Sequence, residues 1–226
     1  MFGIAGSKYG SGFRGSYGLT DAGKELIKKA VELGILIDLS HANEKTFWDI
    51  IQYIKKLKQD GYNPFTFASH SNCMGLFEKQ TKMYKEEEFL LKANIFCKRN
   101  LTDAQLLAIK ELGGLVGIVS YKPFCLLTRD DSYVYNENYK KLYNDALKDQ
   151  FTYLRNLFGG VENIITASDD MDFEKLLDPL FSSNCNYFNY ENISALQTTF
   201  LKNIGFSNNE IDMILRSNFE EKILIV

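Results

Sequence analysis

His41 and His70 are the two histidines of a 226-residue chain, and each follows a serine at the end of a short apolar run. The first run reads Ile35-Leu36-Ile37-Asp38-Leu39-Ser40-His41 and the second Phe65-Thr66-Phe67-Ala68-Ser69-His70. A lone histidine after a strand is usually a structural residue with its hydrogen bonds satisfied. Two at equivalent ends of successive parallel strands differ, because adjacent strands lie about 4.8 Å apart and can bring both imidazoles to one metal ion. An acid at the end of another strand, Asp169 after Asn163-Ile164-Ile165-Thr166-Ala167-Ser168, offers a further ligand or a proton shuttle. Together these residue types suit metal-assisted hydrolysis.

The elements that must position them follow from the pattern around them. Both histidine runs are rich in β-branched and aromatic residues and are bounded by Gly34 and Pro64, which favours buried strands. Between them, Asn43 to Lys58 carries Phe47, Ile50, Ile51, Ile54 and Leu57 at the spacing of one helix face. Upstream, Thr20 caps a helix over Asp21 to Leu33 with Ala22, Leu26, Ile27, Ala30 and Leu33 as its apolar face and Gly34 as its stop. Thr102-Asp-Ala-Gln105 is a capping box opening a helix that buries Leu106, Leu107, Ile109 and Leu112 and ends at Gly113-Gly114. A third strand runs from Leu115 to Tyr121, and its Gly117 signals close backbone approach. A helix from about Tyr139 to Phe158 leads through Gly159-Gly160 into the fourth strand, Asn163 to Ser168. The tail holds a segment from Ile193 to Ile204 and a second capping box, Ser207-Asn-Asn-Glu210, opening a last helix through Leu215. The glycine-rich start to Gly18 reads as loop, and Glu86-Glu87-Glu88 as a solvated face. Period-2 alternation places His41 on the face of Ile37 and Leu39 and turns Asp38 and Ser40 away, which makes Asp38 a structural acid.

Composition bounds the function. With 45% hydrophobic residues the chain can bury a sizeable core, and a single domain over 1–226 is the natural prior. A net charge of −3 argues against nucleic acid as a partner, which normally calls for a basic surface. Cys73, Cys97, Cys125 and Cys185 form no C-x-x-C pair and read as buried thiols, fitting a reducing, cytoplasmic setting. No apolar run is long enough to span a bilayer, and the start lacks the order of a signal peptide.

Strands with continuous apolar interiors alternate with helices, which is the signature of a parallel sheet covered on both faces. The class is α/β, and in such sheets sites form at the C-terminal strand ends, where His41, His70 and Asp169 fall. Four strands beginning near 35, 65, 115 and 163 leave no room for eight in this length.

Several stretches are together specific for one family. Gly18-Leu19-Thr20-Asp21-Ala22-Gly23-Lys24-Glu25-Leu26, then Leu33 to His41, then Ala68-Ser69-His70-Ser71-Asn72, resembles the renal (membrane) dipeptidase family, peptidase family M19. So do Arg99-Asn100-Leu101-Thr102-Asp103 with Gly113-Gly114-Leu115-Val116-Gly117-Ile118, and the closing Gly205-Phe206-Ser207 to Asn218-Phe219. The resemblance implies a partial TIM-type (β/α)8 barrel of the amidohydrolase type, about four β/α units forming the C-terminal half. It implies a zinc-dependent dipeptidase that hydrolyses dipeptides with metal-activated water. His41 and His70 then match the two histidines that bind one zinc of a two-zinc centre. Arg99 matches the arginine that holds the dipeptide's terminal carboxylate, and Asp169 the acid that handles the proton.

The departures from that family are concrete. No His-x-Asp pair occurs to build the first zinc site, and the strand carrying the bridging glutamate is missing. Ser168-Asp169-Asp170-Met171-Asp172-Phe173 replaces the usual Ser-Asp-Phe-Asp-Gly, leaving Asp169 versus Asp170 open. Three expectations follow: a dipeptidase half completed by a separately encoded N-terminal half or by a homo-oligomer, a non-catalytic half-barrel acting as a binding or assembly module, or a one-metal amidohydrolase of another amide or ester.

Overall fold

The computed structural model describes residues 18–76, 100–120, 125, 137–167 and 190–224. The glycine-rich start to residue 17, the run around Glu86-Glu87-Glu88, Arg99, Asp169, Asp170, Cys97 and Cys185 lie outside them.

The chain alternates helix and strand: α1 (Asp21–Glu32), β1 (Ile37–Asp38), α2 (Glu44–Gln59), β2 (Thr66–Ala68), α3 (Asp103–Glu111), β3 (Leu115–Val119), α4 (Glu137–Phe158), β4 (Ile164–Ala167), α5 (Tyr190–Asn203) and α6 (Asn208–Asp212). The helix starts are fixed as their sequences dictate. Thr20, Asn43, Thr102 and Ser207 each accept a backbone N–H of the first turn, and the last two complete capping boxes with Gln105 and Glu210.

The strands form one all-parallel sheet in the order β1-β2-β3-β4. This is the sheet of four β/α units of a TIM-type barrel, with β1 at one edge. All five residues of β3 are buried, as a strand covered on both faces requires. Helices α2, α3 and α4 send Phe47, Ile51, Ile54, Leu57, Leu106, Ile109 and Leu154 into a core shared with Ile37, Leu39, Ala68, Val116 and Ile118. Each fully buried aliphatic or aromatic side chain there is worth roughly 1.5–3 kcal/mol against exposure.

Two expectations are corrected. In α1, Leu26 is 50% and Leu33 64% exposed, and the face that packs is Ile27, Ala30 and Val31. Helical periodicity gives the stripe, but only the neighbouring element decides which edge of it is covered; Ile35, on the approach to β1, is exposed as well. The last helix does not stop at Leu215. After α6 the backbone widens into π-type turns over Met213–Ser217 and Glu220–Leu224. Between them Asn218, 2% exposed, donates its side-chain amide to the carbonyls of Val161 (2.6 Å) and Ile164 (2.8 Å). The C-terminal segment is thereby clamped to the entry of β4.

Candidate metal centre

β1 and β2 pair in parallel with Ile37 opposite Thr66 and Asp38 opposite Phe67, so their C-terminal ends lie side by side. That register brings the two Ser-His pairs together. His41 Nε2 stands 2.9 Å from His70 Nε2, with ring centroids 4.8 Å apart and the rings inclined at 58°. His41 is exposed and His70 half-buried. The strand-end histidines therefore converge.

His41 does not arrive by continuing the β1 alternation. The strand ends at Asp38 and the chain turns at Ser40-His41, so Ile37 and Leu39 are buried in the core while His41 is exposed. Asp38 lies at the centre of that turn. Its Oδ1 accepts the Ser40 N–H (3.0 Å), the Ser40 hydroxyl (2.8 Å) and the Ser69 N–H (3.0 Å), and its Oδ2 accepts the Ser69 hydroxyl at 2.6 Å. Burial pushes the Asp38 carboxyl up, but the hydrogen bonds from Ser69 and Ser40 outweigh it and hold the group below the usual aspartate range. Ser69 Oγ is also 2.7 Å from His70 Nδ1, and Ser40 Oγ accepts the His70 N–H at 3.1 Å. Sequence reasoning gave Asp38 no part in the site. The signal was present in Asp38-Leu39-Ser40, an Asx-turn pattern in which a carboxylate caps the amide two residues on.

The segment after His70 is held as tightly. Ser71 N–H donates to the Gly117 carbonyl at 2.8 Å. Asn72 exchanges two hydrogen bonds with the Val119 backbone, at 3.0 and 3.1 Å, as a strand residue would. Gln150 of α4 accepts the Cys73 N–H at 2.7 Å, and Cys73 forms a parallel bridge with Leu101. The Asn100-Leu101 pair that follows Arg99 in sequence is buried there. Cys73 and Cys125 are free, buried thiols, as expected from the sequence, and burial pushes Cys125 up to about 12 and Cys73 upward as well. Both are neutral thiols at neutral pH in the metal-free protein.

The pair fits a zinc ion in its donor chemistry. Imidazole nitrogen is a favoured zinc donor at roughly 2.0–2.1 Å, and atoms 2.9 Å apart lie within reach of one ion at that distance. The second ring nitrogen of His70 is engaged by a serine, as ligating histidines require. Among the described residues, no group of three or more His, Cys, Asp or Glu could hold a metal. Nor is any described helix long and apolar enough to cross a membrane.

Residues 5–84 match the family described as Membrane dipeptidase (Peptidase family M19). Half of the chain, 120 residues, is 36% identical to the Klebsiella pneumoniae "Uncharacterized protein in pqqA 5′region", covering 35% of that protein. In fold, the chain is similar to the crystal structure of dipeptidase AC, a metallopeptidase of family M19, with a TM-score of 0.60 and 21% identity over 93% of this chain and 49% of that one. A metallopeptidase from Rhodobacter sphaeroides, liganded with a phosphinate mimic of the dipeptide L-Ala-D-Ala, gives a TM-score of 0.58 at 20% identity, covering 93% and 48%. The chain thus spans about half the length of the solved structures and a third of the curated relative.

Proposed function

We propose, from a chain that resembles the membrane dipeptidases of peptidase family M19 in sequence and fold, that it carries the two-histidine part of a zinc dipeptidase site. In this reading 1–226 is one domain, the C-terminal half of the barrel. The observation that carries it is the convergence of His41 and His70, Nε2 to Nε2 at 2.9 Å, at the C-terminal ends of adjacent parallel strands.

His41 and His70 would hold one zinc. When bound, zinc supplies Lewis-acid polarisation of the scissile carbonyl and lowers the pKa of water. Arg99 binds the dipeptide's free carboxylate, a task suited to a planar guanidinium fork. Asp169, or its neighbour Asp170, takes the proton from water and returns it to the leaving amine. The remaining ligands of a two-zinc centre would come from further strands of the barrel. The exposed apolar residues Leu26, Leu33 and Ile35 favour a second reading, a non-catalytic module that docks a partner.

One experiment separates the two. The purified chain should bind Zn2+ weakly and hydrolyse dipeptides little, with both rising when an N-terminal half is added. His41→Ala with His70→Ala should abolish zinc binding. Unchanged metal content in that double variant would leave only the docking module, and robust hydrolysis by the chain alone would overturn the half-site.

A further inference from the structure

We propose that Asp38 is a positioning residue for His70: through the hydroxyls of Ser69 and Ser40 it fixes the imidazole with its proton on Nδ1 and its lone pair on Nε2, facing His41. The inference deepens the zinc reading, since it concerns the same histidine pair, but its geometry stands independently of any ion.

The proton count leaves one arrangement. An ionised carboxylate only accepts hydrogen bonds. Ser69 has a single hydroxyl hydrogen, and the 2.6 Å contact to Asp38 Oδ2 takes it. Toward His70 Nδ1, at 2.7 Å, Ser69 Oγ can therefore only accept, so Nδ1 carries the hydrogen. Ser40 repeats the logic. Its hydroxyl hydrogen goes to Asp38 Oδ1 at 2.8 Å, and its oxygen accepts the His70 N–H at 3.1 Å. The two serine oxygens sit 3.2 Å apart with neither hydrogen left for the other. A neutral imidazole protonated on Nδ1 has its lone pair on Nε2, which in the metal-free pair accepts the hydrogen of His41 Nε2 at 2.9 Å, a hydrogen that a bound cation would displace. A ligating nitrogen must present such a lone pair, and the hydrogen bond at the other ring nitrogen selects it.

The repeated Ser-His pair of the sequence thus has a physical purpose. Each serine meets the one carboxylate between the strands, so a single anion sets both the direction of the hydroxyls and the seat of the His70 ring. Asp38→Asn keeps the shape and breaks the logic. A carboxamide turned to give its N–H to Ser69 Oγ frees the serine hydrogen for His70 Nδ1, which drives the ring proton to Nε2, where it opposes a cation.

The test is long-range 1H–15N spectroscopy of the metal-free 226-residue chain labelled with 15N-histidine at pH 8, the rings assigned with His41→Ala. Wild type should show His70 protonated on Nδ1 and bare on Nε2. Asp38→Asn should move the proton to Nε2 and lower zinc affinity about 10–100-fold, measured by competition with a chelating dye. Ser69→Ala, checked for fold by circular dichroism, should also release the ring from the Nδ1–H form. A wild-type His70 protonated on Nε2, or a tautomer unmoved in both variants, overturns the proposal. If His70 is Nδ1–H but wild type binds no zinc, the metal reading fails and the positioning role stands. If zinc binds but the tautomer is wrong, only the positioning role fails.

Discussion

Replacing Gly117 by alanine tests whether backbone crowding at the end of the sheet holds the histidine pair in place. Gly117 is the middle residue of β3, and its carbonyl accepts the Ser71 N–H at 2.8 Å, one residue beyond His70. A Cβ at this position would lie 2.2 Å from the Ser69 carbonyl oxygen, 3.0 Å from the Ser69 carbonyl carbon and 3.1 Å from Ala167 Cβ. Non-bonded atoms settle near about 3.5 Å, so the Ser69 carbonyl must retreat by roughly 1 Å. It is backbone, flanked by β2 and by the Asp38 hydrogen bonds, and cannot swing aside like a side-chain tip. Overpacking of this kind costs about 1–3 kcal/mol. In a domain of this size that lowers Tm on the order of 2–10 °C, read by circular dichroism. His70 moves with Ser69, and a misplacement near 1 Å can cost about 100-fold at a site that depends on alignment. Zinc affinity of the isolated chain should accordingly fall at least tenfold. Gly34→Ala serves as the control: its φ is +70° with nothing within 4 Å of the new methyl. It should cost about 1 kcal/mol through left-handed backbone strain and leave zinc affinity unaltered. A Gly117→Ala chain that melts with wild type and binds zinc equally would refute the crowding argument, and a loss of affinity matched by Gly34→Ala would show that stability alone explains it.

Asn218→Ala removes both amide hydrogen bonds, to the Ile164 carbonyl and to the Val161 carbonyl, which keeps the Ile164 N–H at 2.9 Å, so it should destabilise by about 1–3 kcal/mol in urea titration; a loss under about 0.5 kcal/mol would count against the clamp. Asp38 should give the stability a distinct acid limb. Its folded pKa lies below the ordinary 3.8, so its contribution is fully present above that value and is lost as pH falls through the depressed folded pKa. The gap in urea midpoint between wild type and Asp38→Asn should therefore be constant from neutral pH to about pH 5 and close below about pH 4; a gap that persists undiminished at the lowest pH where both chains fold would contradict the assignment.

How far the sequence could be read is clearest at the two ends of β1. The convergence of His41 and His70 was legible because it depends only on facts the pattern states: two apolar runs joined by one helix, parallel pairing, and a histidine closing each run. Register then follows, and so does proximity. The cap residues Thr20, Thr102 and Ser207 were legible for a similar reason, since an N-cap is a local bargain between one side chain and the amides of its own first turn. Asp38 is the structural acid the pattern suggests, but His41 was assigned to the wrong face where a local rule was carried past its range. Alternation holds inside a strand, but β1 ends at Asp38, and from Leu39 onward the chain obeys the carboxylate that caps Ser40 and not the pleat. The exposed Leu26 and Leu33 fail for the complementary reason: their spacing is correct for a buried face, and burial is decided by which neighbouring element packs against the helix, which its own periodicity does not encode.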